Sequence, residues 1–146
     1  MSNNRPAEQN PVKVTVTTAI QDGEQQETYE LTTFGRYYKK GRSSYLQYDE
    51  TMEEGVVHTT VKASGNEVLI LRSGAIKMRL HLLQDKKTPG NYHSPYGLLQ
   101  TEADTRKVDI AMGSSSGMIK VFYELAIQGA HAGTYQMNID YKEERK

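Results

Sequence analysis

A chain of 146 residues with no cysteine and 18 basic against 18 acidic side chains rules out several functions before any motif is sought. Without thiols there is no disulfide framework, no thiolate metal site and no cysteine nucleophile. Zero net charge removes the accumulated positive field on which polyanion binding draws, so nucleic acid is not the expected partner.

About 150 residues can bury roughly 68–70% of the surface of the unfolded chain, enough for one self-sufficient core. No apolar run approaches 18 residues and the N-terminal segment has no hydrophobic stretch, so neither secretion nor membrane spanning is expected. With cysteine absent as well, the expectation is a cytosolic bacterial protein. Near-neutral charge weakens repulsion between copies and is compatible with a homodimer.

Residues 1–11 are polar and interrupted by Pro6 and Pro11, and they read as a disordered arm ahead of a domain over residues 12–143. Val12, Val14, Val16 and Thr18 alternate with Lys13, Thr15 and Thr17, predicting a first strand to about Ile20, closed by an Asp22-Gly23 hairpin turn. A second strand is predicted from Glu27 to about Tyr38, turned by Lys39-Lys40-Gly41, and a third from Ser43 to Asp49. After a polar connection over Thr51 to Gly55, Val57, Thr59 and Val61 alternate with His58, Thr60 and Lys62 in a fourth.

The clearest pattern follows a Ser64-Gly65-Asn66 turn. Two apolar runs flank Ser73-Gly74, and the second alternates Ile76, Met78, Leu80 and Leu82 with Lys77, Arg79 and His81. This is the signature of an antiparallel hairpin with one buried face. Pro89-Gly90 is expected to forbid regular pairing between Gln84 and Asn91. Leu98–Ala103 and Lys107–Met112 read as two short strands around Asp104-Thr105. Beyond a flexible Gly113–Gly117 turn come Met118–Gln128, with Ile119, Val121, Tyr123, Leu125 and Ile127 on one face, then a Gly129–Gly133 loop and a last strand from Thr134 to about Lys142. Residues 144–146 form a solvated tail.

Nine or ten extended segments with short links and no amphipathic helix predict an all-β protein. The expected form is a single antiparallel, mainly up-and-down barrel of about 8–10 strands, which abolishes its own edges by closing. Ten tyrosines against two phenylalanines and no tryptophan suit a partly polar lining and equally a half-exposed sheet.

Three elements carry a resemblance across about Val12 to Tyr141. They are Ile70-x-Arg72-x-Gly74 with Met78, Tyr92-x-Ser94-Pro95-Tyr96-Gly97 with Thr101, and Gly117-x-Ile119-x-Val121-x-Tyr123-x-Leu125. In their order and spacing the chain resembles the YwiB-like proteins, uncharacterised β-barrels of Gram-positive bacteria placed among the calycins. The resemblance implies a lipocalin-like barrel whose interior holds something small. It implies no activity.

No residue pattern points to catalysis. His58, His81, His93 and His131 lie on separate segments without metal-ligand spacing, so no metal and no cofactor is expected; a lone haem-ligating His93 has only its residue type behind it. Ser114-Ser115-Ser116 precedes a strand rather than the helix a nucleophile elbow requires. The acidic groups at Asp22, Glu24 and Glu27 and at Asp49, Glu50, Glu53 and Glu54 fall at predicted turns and read as solvated surface. Tyr37-Tyr38-Lys39-Lys40-Gly41-Arg42 reads as a charged hairpin tip.

The expected function is therefore a non-catalytic binding module for a small apolar or amphipathic, in one version anionic, ligand. Its candidate residues are Arg72, Arg79, His93, Tyr96 and Tyr123. Arg72 is the pivot. A two-residue Ser73-Gly74 turn would aim it at solvent beside Lys77 and Arg79, whereas a one-residue bulge at Gly74 would aim it into the barrel, where its planar fork suits a carboxylate. The alternative is a filled barrel serving as a scaffold through its outer face. Its motive is Val68-Leu69-Ile70-Leu71, which is apolar on both sides.

Overall fold

The alternation in the sequence becomes one continuous wall. The computed structural model describes residues 8–144, in which β1 (Asn10–Asp22), β2 (Gln25–Lys40), β3 (Ser43–Met52), β4 (Gly55–Ser64) and β5 (Glu67–Gly74) are followed by β6 (Lys77–Leu83), β7 (Lys86–Ser94), β8 (Gly97–Met112), β9 (Ser116–Ile127) and β10 (Ala130–Glu143). Each strand pairs antiparallel with the next, and β10 pairs with β1 from Val12↔Glu143 to Gln21↔Thr134, closing an up-and-down barrel without a free edge. No helix is present among the described residues.

Inward positions are those of the apolar phase. Val12 and Val14 of β1, Leu46 of β3, Val61 of β4, Val68 of β5 and Leu82 of β6 are all fully buried. Each such side chain contributes about 1.5–3 kcal/mol relative to exposure. These residues pack one half of the lumen solid, together with Ile119, Val121 and Ile139. Tyr37 and Tyr141 finish that end, stacked with ring centroids 5.1 Å apart. The Tyr141 hydroxyl donates to the Gly113 carbonyl at 2.6 Å, and Gly117 leaves the space its ring fills, since a Cβ there would meet that ring at 2.6–2.7 Å.

The Ser73-Gly74 region departs from the predicted two-residue turn. Arg72 pairs with Met78, Ile70 with Leu80 and Val68 with Leu82, which leaves five residues in the connection. Gly74 (φ 100°) sits where a Cβ would be 2.5 Å from the Val56 carbonyl, and the Ala75 amide donates to that same oxygen at 3.0 Å. The tip therefore folds onto β4 with Ile76 buried, and Arg72 joins the inward face.

Two further expectations are corrected. Residues 86–94 pair along β8 through Pro89↔Glu102 and Gly90↔Thr101, while β6 and β7 pair only at Lys77–Arg79. Pro89 thus stands where its strand has a ladder on one side alone, the place a proline is tolerated. The two short strands expected around Asp104-Thr105 are one strand, β8, with its register shifted between Thr105 and Lys107. The extra residue, Arg106, moves the buried phase from Ala103 and Thr105 to Val108.

Of the expected arm, residues 1–7 lie outside the described residues, whereas Asn10 and Pro11 already belong to β1, opposite Tyr37 and Arg36. At the other end Glu144 is exposed beyond β10, and residues 145–146 lie outside the described residues.

Gly90 makes the β6–β7 seam testable. A Cβ there would lie 2.5 Å from the Arg79 carbonyl oxygen and 2.7 Å from Thr101 Oγ1. Gly90→Ala is expected to cost about 1–2 kcal/mol by forcing the strands apart. Urea unfolding checks this, and an unchanged midpoint would contradict it.

Candidate functional site

The packed half ends at about Ile70 and Leu80, and beyond them the barrel is hollow. A cavity of about 570 Å³ opens at the end formed by the β1–β2, β3–β4, β5–β6, β7–β8 and β9–β10 hairpins. Its size is in the range of small-molecule pockets. A groove of about 540 Å³ lies along the outer wall beside Lys13, Asp140 and Lys142, but these side chains are exposed and converge on nothing. The filled lumen of the scaffold expectation is thus found in one half only.

Cross-strand register builds one wall. Tyr48 faces Thr59, Thr59 faces Arg72, and Arg72 faces Met78, so an inward row crosses β3, β4, β5 and β6. Glu50, two residues beyond Tyr48 in the same phase, accepts a hydrogen bond from the Arg72 guanidinium at 2.8 Å. These side chains are 20% and 27% exposed, so the pair is largely withdrawn from water. Met52 Sδ lies 3.8 Å from the same guanidinium nitrogen.

Burial pushes the Tyr48 phenol up to about 12, with Arg72 opposing and Glu50 adding slightly. Tyr48 is accordingly a neutral donor at physiological pH. Thr59 is 3% exposed and its Oγ1 has no hydrogen-bond partner. Thr105 and Asn138 also carry unpartnered buried oxygens, but of the three only Thr59 lines the cavity.

The facing wall is aromatic and apolar. Strand β10 lies five steps round the ring from β5 in either direction, and Tyr123 of β9 stacks on Tyr135 of β10 at 5.1 Å with planes 13° apart. Leu125, Met137 and Val16 extend this wall. Desolvation raises the Tyr123 phenol strongly; it also raises the half-buried Tyr135 phenol, helped by the carboxylates of Asp22 and Glu27. At the lip Tyr29 donates to Glu27 Oε2 at 2.5 Å. The hollow therefore has a polar wall of Tyr48, Glu50, Thr59 and Arg72 opposite a tyrosine platform.

Of the residues expected from sequence, Arg72 and Tyr123 line this cavity on opposite walls. Arg79 borders it but is exposed, on the strand face opposite Met78 and Leu80. His93 is exposed opposite Lys77, and Tyr96 is 99% exposed in the β7–β8 turn, so neither reaches the cavity. Arg72 points to Glu50 rather than toward Tyr96.

Sequence reasoning missed Glu50, taking it for surface, although Leu46, Tyr48, Glu50 and Met52 share one alternating phase that would have revealed it. Thr59 carried a comparable signal between Val57 and Val61. Tyr135 and Met137 are in step with Ile139 and Tyr141. Among the described residues no group of His, Asp and Glu is arranged to hold a metal ion. His58 pairs with Asp49 at 2.7 Å and His81 with Glu67 at 3.0 Å instead.

Comparison with known proteins places this architecture. Residues 14–139 match the family described as a domain of unknown function, DUF1934. The uncharacterized β-barrel protein YwiB of Bacillus subtilis is 31% identical over 135 residues, which cover 92% of this chain and 95% of that protein. The crystal structure of the Bacillus subtilis YwiB protein superposes with a TM-score of 0.87 over 94% of each chain. With the match spanning all ten strands and the same barrel in a solved relative, the chain is a β-barrel protein belonging to the DUF1934 family.

Proposed function

We propose that this barrel is a non-catalytic binding module that takes a small amphipathic molecule into its open half. The observation that carries the reading is the two-walled cavity. A charge-neutralised Arg72–Glu50 pair stands across from the Tyr123–Tyr135 platform. Arg72 is already satisfied by Glu50, so the polar wall suits an uncharged group better than the carboxylate considered from sequence. No side chain pairs with another as nucleophile and base at the cavity, which supports a binding role over a catalytic one.

The test is uptake of a neutral lipophilic fluorophore, expected at one per chain. Met137→Trp fills the cavity from β10 and is expected to weaken uptake at least about tenfold. Equal uptake by the variant would move the site elsewhere. A parallel expectation concerns Thr59→Val. Deleting the unpaired hydroxyl while keeping its volume should leave the protein as stable or up to about 1 kcal/mol more so by denaturant unfolding. A clear loss would show that the hydroxyl has a structural partner.

The scaffold reading keeps one observation. Leu69 and Leu71 do face outward, the latter 41% exposed. Their outward neighbours are Lys62 and Thr60 on β4 and His81 and Arg79 on β6, so the apolar stripe is one strand wide and flanked by polar groups on both sides. That is narrow for a stable partner surface.

A further inference from the structure

We infer that the ligand taken into the cavity is a cation, an amine carried on an apolar body. This rests on the binding reading above and adds the sign of the ligand's charge. The argument begins with where the balanced charges sit. At the packed end the β2–β3 and β6–β7 hairpins carry Lys39, Lys40, Arg42, Lys86 and Lys87 beside Asp85, with Glu67, Glu143 and Glu144 at the same end. The hairpins around the mouth carry Asp22, Glu24 and Glu27 in β1–β2 and Glu53 and Glu54 in β3–β4. A net charge of zero thus conceals a barrel whose packed end is of mixed sign and whose open end is acidic. A mouth lined by one sign concentrates ligands of the other.

The positive groups near the mouth do not reverse this. Lys77 stands alone at the β5–β6 tip, Arg79 is turned outward, and Arg72 is bound to Glu50 at 2.8 Å. An incoming anion would pass the acidic lip and then have to displace Glu50 to reach Arg72. An ammonium meets the reverse. Glu27 and Tyr135 both pair with Ile20 of β1, so they share one cross-strand row at the lip, and Tyr29 is hydrogen-bonded to Glu27 there. Carboxylates beside tyrosine rings are the combination that holds an amine by charge and by the ring faces together. The stacked Tyr123 and Tyr135 rings line the same cavity as Tyr29, so the aromatic faces continue inward from this lip.

Isothermal titration of the full chain with decylammonium, decanol and decanoate separates the possibilities, because the three probes share one apolar body. Decylammonium should bind about tenfold or more tightly than decanoate, with decanol between, and its advantage should shrink at high salt. The double variant D22N/E27Q should weaken decylammonium about 3–10-fold and leave decanol unchanged, as expected for two exposed charges. Decanoate binding as tightly as the amine, or an amine affinity indifferent to D22N/E27Q, would overturn the charge assignment while leaving the cavity reading in place. Failure of all three probes would overturn the cavity reading and, with it, this inference.

Discussion

Replacing Arg72 by methionine is expected to lower folding stability by about 2 kcal/mol, less than the cost of breaking a fully buried ion pair because the two side chains keep 20% and 27% exposure. The loss arises less from the missing attraction than from what remains. Glu50 would be left facing a cavity wall of Tyr48, Thr59 and Met78 with its only cation gone. Removing both charges should undo most of the damage, so R72M/E50M is expected within about 1 kcal/mol of the unmodified protein. Denaturant unfolding of the two singles and the double measures the coupling directly. A single-variant loss below about 0.5 kcal/mol would place the pair with ordinary surface ion pairs. His58–Asp49, with side chains 59% and 64% exposed, supplies that comparison on the same barrel. Its removal is expected to change stability by no more than that amount.

The fate of Arg72 also marks where sequence legibility ended. Most strands and the closed meander follow from period-two alternation and short turns, both local properties, and these were readable except at β7 and within β8. The facing of Arg72 depends instead on the β5–β6 tip, which is set by Gly74 and Ala75 closing on the Val56 carbonyl of another hairpin. No local signal encodes that contact, and a Ser-Gly pair reads as a tight turn without it.

Pro89 misled for a similar reason. A proline forbids pairing only where a ladder needs its N–H, and the lack of a β6 partner there is a property of the barrel seam. The β8 bulge was legible in principle. Ala103 and Thr105 run in one phase and Val108 and Ile110 in the other, a slip of one residue that marks a bulge as well as it marks a break. The candidate site was half visible. Arg72 and Tyr123 were named, but Glu50 and Thr59 were passed over because charge and hydroxyl were taken as signs of exposure. In a barrel with an open end, a polar residue in the apolar phase is the mark of the lumen.

The lumen tyrosines tie the fold to alkaline pH. Burial raises the phenols of Tyr48, Tyr123 and Tyr141, Tyr48 to about 12. A phenol whose folded-state value lies above its unfolded value near 10 holds its proton more tightly when folded. The native state then binds more protons than the unfolded chain between the two values, and stability falls as pH rises through that window. At 1.36 kcal/mol per unit, Tyr48 alone contributes about 2–3 kcal/mol that is fully present below pH 10 and gone by about pH 12. Tyr123 and Tyr141 act in the same direction. Against a total stability of about 5–15 kcal/mol, cooperative unfolding is expected between about pH 11 and 12. Tyrosinate absorbance from these residues should rise together with loss of the far-ultraviolet strand signal. Tyr48→Phe and Tyr123→Phe keep the ring and delete the titrating group, so each should move the alkaline midpoint upward. If both variants unfold at the same pH as the unmodified protein, neither of these buried phenols sets the alkaline limit.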